Sequence, residues 1–168
     1  HGEWAARSAG TWGNSIGVDI CATATAYEQV LSSGNLTVGE DAVGATTIAV
    51  DDADLSNNAI NVGDMISFFS DSAGATPVTG ETGNEYEVTA ISTNDLTIRL
   101  KDDPNGAGVQ NIIPDNSFIK RRWRFADLFD RAPGTSPYST RNSKGTADEM
   151  HIVVYDTTGS ITGFDVDV

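Results

Sequence analysis

The stretch from Glu85 to Lys101 constrains the fold more than any other part of the chain. In Glu85-Tyr86-Glu87-Val88-Thr89-Ala90 and again in Leu96-Thr97-Ile98-Arg99-Leu100-Lys101, apolar and polar residues alternate with period two. A helix of 3.6 residues per turn cannot gather such a set on one face, whereas a strand does so automatically. Between the runs, Ser92-Thr93-Asn94-Asp95 supplies turn chemistry. The segment is therefore predicted to be an antiparallel hairpin with one wet face. Tyr86, Val88 and Ala90 are expected to face inward, and Glu85, Glu87 and Thr89 outward.

Neighbouring segments extend the same reading. Thr47–Val50 and Met65–Phe69 are short strand-like runs, with Val62-Gly63-Asp64 as a turn, Ser70–Gly83 as a polar loop and Asp102–Gly106 closing the module. Four to six strands rolled into a small antiparallel barrel or sandwich are expected over residues 36–116. The flanks are mixed. Gly10–Asn14 is a turn leading to a strand at about 16–24, and Tyr27–Leu31 suits one helical turn. After a strand near 117–120, Phe125, Leu128 and Phe129 fall at i, i+3 and i+4, predicting a short helix over 122–131 that Pro133-Gly134 stops. A polar surface loop follows to Gly145. The apolar run His151–Tyr155 predicts a strand buried on both faces within about 149–164, turned at Asp156–Gly159 into a hairpin partner at Ser160–Phe164. The fold class is α+β, mainly β, in three parts: 1–35, an acidic insert 36–116, and 117–168.

Charge narrows the function. The net charge is −14, yet it is unevenly placed. Residues 1–120 carry four Lys/Arg against seventeen Asp/Glu, while residues 121–147 carry six against two. An acidic body repels nucleic acid and anionic membrane surfaces, so neither is expected as a partner. No apolar run reaches the roughly 18 residues a spanning helix needs. The start HGEWAARSAG has neither an initiator Met nor a signal-peptide pattern, so the chain is expected to begin inside a longer one or after processing. Cys21, the single cysteine, lies in an apolar run and is expected to be a buried, inert thiol.

Sites for chemistry are sparse. Asp51, Asp52 and Asp54 fail the calcium-loop pattern, because counting from Asp52 puts Asn57 where a Gly belongs and Gly63 where a bidentate Glu belongs. A solvated turn is the better reading. His151 has no second His or Cys near it in sequence, so zinc is not expected. Phosphate-cradling, dinucleotide and nucleophile-elbow motifs are missing. Glu85 and Glu87 share a face without a substrate groove to serve, and the Asn35-Leu36-Thr37 sequon has no secretory context. No cofactor, metal or catalytic residue is assigned. The basic run Lys120-Arg121-Arg122-Trp123-Arg124 is the one suggestive charge feature. Set in an acidic chain, it suits ion pairing within or between subunits better than nucleic-acid binding.

Two separated blocks carry a resemblance. ARSAGTWGNSIGVDICATA (6–24) and FADLFDRAPGTSPYSTRNSKGTADEMHIVVYDTTGSITG (125–163) resemble the tail-sheath family of contractile bacteriophages, of the T-even-like and cyanophage type. The matching positions are Trp12, Gly13 and Asn14 in the first block. In the second they are Phe129, Pro133, Asp148, Glu149, His151, Asp156, Gly159 and Gly163. After Gly163 the family continues into a valine-leucine-glutamate segment, where this chain reads Phe164-Asp165-Val166-Asp167-Val168.

The resemblance implies an internal fragment of a structural subunit, not an enzyme. Its core would be formed by the two blocks, and the acidic module would be an outward-facing insert. Such subunits polymerise around a tail tube and contract, driving it through the host envelope for genome ejection. Implied partners are other sheath subunits, the tail tube protein, and the baseplate and tail terminator proteins. The location would be the virion tail, with assembly in the host cytoplasm and no direct membrane insertion. Lys120, Arg121, Arg122, Arg124, Arg131 and Arg141 are the expected inter-subunit contacts. The rival reading is a receptor- or glycan-binding β module using loops 70–83 and 102–116, and a hydrolase ranks behind both.

Overall fold

The structure, a computed structural model, describes residues 10–31, 36–51, 60–103, 105–159 and 161. It is mainly β, with two antiparallel sheets and little helix. The strands are β1 (Ile16–Cys21), β2 (Glu28–Val30), β3 (Thr47–Ala49), β4 (Met65–Phe69), β5 (Tyr86–Ser92), β6 (Asp95–Leu100), β7 (Phe118–Arg122) and β8 (His151–Asp156). The helices are α1 (Ala24–Tyr27) and α2 (Pro137–Asn142), and Thr11–Ser15 and Ala126–Leu128 are 3₁₀ turns.

The larger sheet has the order β2-β7-β4-β5-β6-β3, and the predicted hairpin β5–β6 lies within it. Ile66, Phe68, Tyr86, Val88, Leu96, Ile98 and Ile119 are all buried on one side, joined by Ile48, Val50, Val109 and Ile113. Six short strands supply an apolar face large enough to bury, which an isolated hairpin lacks. The strands do not close into a barrel. Instead, residues 36–38 form a strap across the open side. Leu36 bridges to Phe118, Thr37 bridges to Val50, and the Val38 amide donates to the Ala49 carbonyl. A second connection, Ala107–Ile113, lies against residues 41–45, where the Gly44 amide donates to Val109 and the Val109 amide to Ala45. Gly108 permits that approach, since a methyl there would overlap the Ala45 carbonyl.

Several expectations change. The six-stranded sheet takes in β2 and β7, so it runs beyond 36–116 at both ends. Residues 28–30 belong to a strand, and the helical turn falls earlier, at α1, where the Thr23 hydroxyl accepts from the Ala26 amide. Alternation in β5 breaks at a bulge between Val88 and Ala90, so Ala90 is exposed. Glu87 is buried rather than wet, facing Arg99 across the sheet with its carboxylate 2.8 Å from Nε.

The helix expected over 122–131 is also absent. Arg122 ends β7, and only the 3₁₀ turn Ala126–Leu128 remains. Trp123, Phe125 and Phe129 converge in one aromatic cluster, with ring centroids 5.6 Å (Trp123–Phe125) and 5.7 Å (Trp123–Phe129) apart. Residues two apart on an α-helix point to opposite sides, so the cluster and that helix are incompatible. Leu128 consequently points outward, 67% exposed. The polar stretch before Gly145 contains α2, started by Ser136, whose hydroxyl accepts from the Ser139 amide, and by Pro137 in its first turn.

β1 and β8 form the smaller, two-stranded sheet, with Val18 opposite Val154 and Ile20 opposite Ile152. β8 is covered on one face only. His151, Val153 and Tyr155 face the aromatic cluster, while Ile152 and Val154 are 40% and 66% exposed. The expected burial of β8 on both faces is thereby corrected, because nothing among the described residues packs on the second face. The expected hairpin partner Ser160–Phe164 lies outside the described residues apart from Ile161, as do Asp52 and Asp54.

Candidate functional site: an aromatic seam, an internal charge lattice and an open ribbon

The two sheets meet at Trp123, which directly follows β7. Its amide donates to the Tyr27 carbonyl, and its indole Nε1 donates to Asp19 of β1 at 3.0 Å. Its ring stacks near Phe129, which in turn stacks on His151 at 3.9 Å. The Tyr27 hydroxyl lies 2.9 Å and 3.1 Å from the carbonyls of Ala126 and Phe129. Cys21 is buried here, and burial pushes its thiol above the usual value, which keeps it a poor nucleophile. On the same side of the ribbon, Gly17 leaves room for the Tyr155 ring to lie across β1.

Most positions that resemble the sheath family collect around this seam. Trp12, Gly13 and Asn14 form the 3₁₀ turn that delivers β1. The Ser15 carbonyl then accepts from the Thr157 amide just after β8. Pro133 is buried. Glu149 accepts from the Gly134 amide and pairs with Arg131 at 2.6 Å, and one imidazole nitrogen of His151 lies 2.7 Å from the Arg131 carbonyl. Asp148 accepts from the Ser136 amide and from the hydroxyls of Ser136 and Ser139, and these bonds hold its carboxyl at about 2. Asp156 is buried at the end of β8, accepting from the Ile161 amide, and Gly159 supplies the positive φ of that turn. Gly163 lies outside the described residues.

The basic run is consumed internally. Lys120 pairs with Glu28 at 2.7 Å. Arg121, 7% exposed, donates to the Thr25 carbonyl at 2.6 Å and faces Asp64 at 3.4 Å. Arg122 pairs with both Glu85 and Asp127, which Lys101 also reaches. Burial alone would raise Glu85, but Arg122 and Lys101 outweigh it and hold it low. The hydrogen bonds from Arg122 and Lys101 hold Asp127 at about 2. Arg124 lies against Asp19 and the Tyr155 hydroxyl, with its guanidinium 4.6 Å from the Phe125 ring centroid. Of the six cations expected at interfaces, only Arg141 makes no ion pair among the described residues.

A second buried polar cluster escaped the sequence reading. Glu81, 2% exposed, accepts from the Tyr86 hydroxyl at 2.5 Å, from the Asn111 amide and from Asn84. It ties the turn before β5 to the connection before β7. Only the acid's position in a loop of small residues hinted at it, which is no usable signal. The missed surface is the open face of the ribbon, with Ile16, Val18, Ile20, Ile152 and Val154 each 37–66% exposed. A groove of about 700 Å³ lies at its end, lined by Phe125, Leu128, Val154, Tyr155 and Ile161.

Among the described residues, no group of three His, Cys, Asp or Glu is placed to hold a metal ion, and no helix is long and apolar enough to cross a membrane. No protein-family model matches the chain, and no curated protein matches it.

Proposed function

We propose that the chain is part of a structural subunit of a contractile bacteriophage tail sheath, without enzymatic activity. The observation that carries this reading is the pairing of β1 with β8. The two blocks that resemble the sheath family, more than a hundred residues apart, form one ribbon fastened by one aromatic seam. That ribbon is unfinished by itself. Two strands with an aliphatic face that no described residue covers are marginal in water and call for further secondary structure, from the same polypeptide or from a neighbour. The internally neutralised basic run gives the protomer rigidity, which a contracting helical array needs so that contacts change between subunits rather than within them. In this reading the partners are other sheath subunits, the tail tube and the proteins at the two tail ends. The protein resides in the virion tail after assembly in host cytoplasm.

Sedimentation velocity and negative-stain electron microscopy test the proposal. Concentration-dependent rings, arcs or tubes of constant width are expected from the purified chain. A species that stays monomeric to about millimolar concentration would overturn it.

One observation favours a second reading, a glycan- or receptor-binding module. Loops 70–83 and 102–116 meet in a groove of about 580 Å³ that includes Ser70, Thr79, Asn111 and Asn116. Saturable binding of a host polysaccharide by a monomeric chain, abolished by Asn111→Ala, would favour that reading over the sheath.

A further inference from the structure

We infer that Tyr138, Arg141 and Lys144 form a docking surface for the acidic strap of a second copy of this chain. The inference rests on the assembly reading above and adds which surfaces meet.

The first argument is the disposition of charge. Every described Lys and Arg of residues 99–131 sits in an ion pair within the chain. Arg141 and Lys144 do not, and they stand together at the end of α2. Buried or half-buried cations with partners in the same chain are poor recruits for a partner, since each would first lose a formed contact. Among the described residues, these two are the cations left without an ion pair and open to another molecule.

The second argument is presentation. Tyr138 and Arg141 are three apart on α2 and share its outer face, with Tyr138 65% exposed. The Arg141 Nε donates to the Pro137 carbonyl at 3.2 Å, which aligns the guanidinium along the helix and leaves its outer edge open. The segment is held firmly from beneath. Asp148 grips Ser136 and Ser139, the Thr135 hydroxyl accepts from the Ala147 amide, and Glu149 holds Gly134 and Arg131. Six bonds thus fix a short helix whose outer side chains do nothing for the fold. An exposed tyrosine beside an arginine is the composition of a contact hot spot.

The third argument names the occupant. The strap that crosses the large sheet continues through residues 39–40 into an acidic corner with Asp115, and this end of the strap is the matching surface. Glu40 and Asp115 are both exposed and stand side by side, because Asp115 accepts from the Gly39 amide at 2.8 Å. Among the described residues, no cation pairs with either of these two. The α2 surface and the strap are different surfaces of one chain, so their contact is head-to-tail and repeats from copy to copy. Each pair is individually weak, and repetition gives the array its strength.

The test is sedimentation velocity of the chain at about 0.1 M salt, where screening over about 10 Å mutes the repulsion between net charges but spares close pairs. The variants are R141E/K144E, E40K/D115K and the fourfold combination, each checked by circular dichroism for an unchanged fold. Association of the wild type, weakening of about tenfold or more in either double variant, and recovery in the fourfold variant are expected. If the wild type associates and R141E/K144E associates equally well, the inference fails while the assembly reading stands. Weakening without recovery in the fourfold variant also overturns it, since the strap is then not what the α2 surface meets. A wild-type chain that never associates removes the assembly reading and this inference together.

Discussion

Replacing Trp123 by alanine should separate the two sheets energetically. Trp123 is 5% exposed and stacks in a cluster whose fully buried members are only Cys21, Trp123 and Ala126. Truncating a buried tryptophan costs about 3–5 kcal/mol. The six-stranded sheet has its own core and loses little, because its buried residues form a separate cluster. Among the described residues, nothing packs on the second face of the β1–β8 ribbon. Its opening free energy should therefore drop by most of that amount, toward the marginal stability of a lone two-stranded ribbon. Amide hydrogen exchange resolves the two regions. In W123A, amides of Ile16–Cys21 and His151–Asp156 should exchange about a hundred to several thousand times faster, at a factor of ten per 1.4 kcal/mol. Protection at Val88, Ile98 and Ile119 should change by less than about tenfold. W123F keeps an aromatic ring but loses the indole bond to Asp19, and should cost only about 1–2 kcal/mol. If protection falls equally in both sheets, or if the ribbon keeps its protection in W123A, the seam is not what joins them.

Two further outcomes follow from buried polar groups. Tyr86→Phe removes a buried hydroxyl that donates to Glu81 and accepts from the Gln110 amide. A charge-assisted bond and an orphaned amide together predict a loss of about 3 kcal/mol, read as a lower urea midpoint with an unchanged slope; a loss below about 0.5 kcal/mol would refute the account. Asp41 has a buried carboxylate oxygen without a partner, and burial raises its pKa from 3.8 to about 6. The folded chain then holds this proton more tightly than the unfolded one, so the contribution of Asp41 to stability is fully present below about pH 4 and is lost as pH rises through 6. Two units correspond to about 3 kcal/mol at most, and the partial exposure of Asp41 reduces this to about 1–2 kcal/mol. The stability difference between Asp41→Asn and wild type should grow by that amount from pH 4 to pH 6.5. A difference that stays constant over that range would count against the buried carboxyl.

Local pattern determined much of this protein. The strands at 86–92 and 95–100 follow from period-two alternation and the turn between them, that at 65–69 from a short apolar run after the Val62-Gly63-Asp64 turn, and the burial of Cys21 from its apolar neighbours. A period says which side chains share a face, however, and not whether anything covers that face. His151-Ile152-Val153-Val154-Tyr155 is equally apolar with one covered face or two, so only packing revealed the open ribbon. Charge behaves similarly. The run Lys120–Arg124 is visible in sequence, but Asp19, Glu28, Asp64, Glu85 and Asp127, which neutralise it, are spread along the chain and meet it only through strand order and register. The helix expected over 122–131 gave way for the same reason. Its i, i+3, i+4 pattern is a local preference worth a few tenths of a kcal/mol, whereas packing Phe125 and Phe129 on Trp123, and Phe129 on His151, buries far more. Residue order thus set the central strands and the turns beside them, while the tertiary structure decided the state of residues 28–30 and 122–131, which faces stay open and which charges remain free, because these depend on partners distant in sequence.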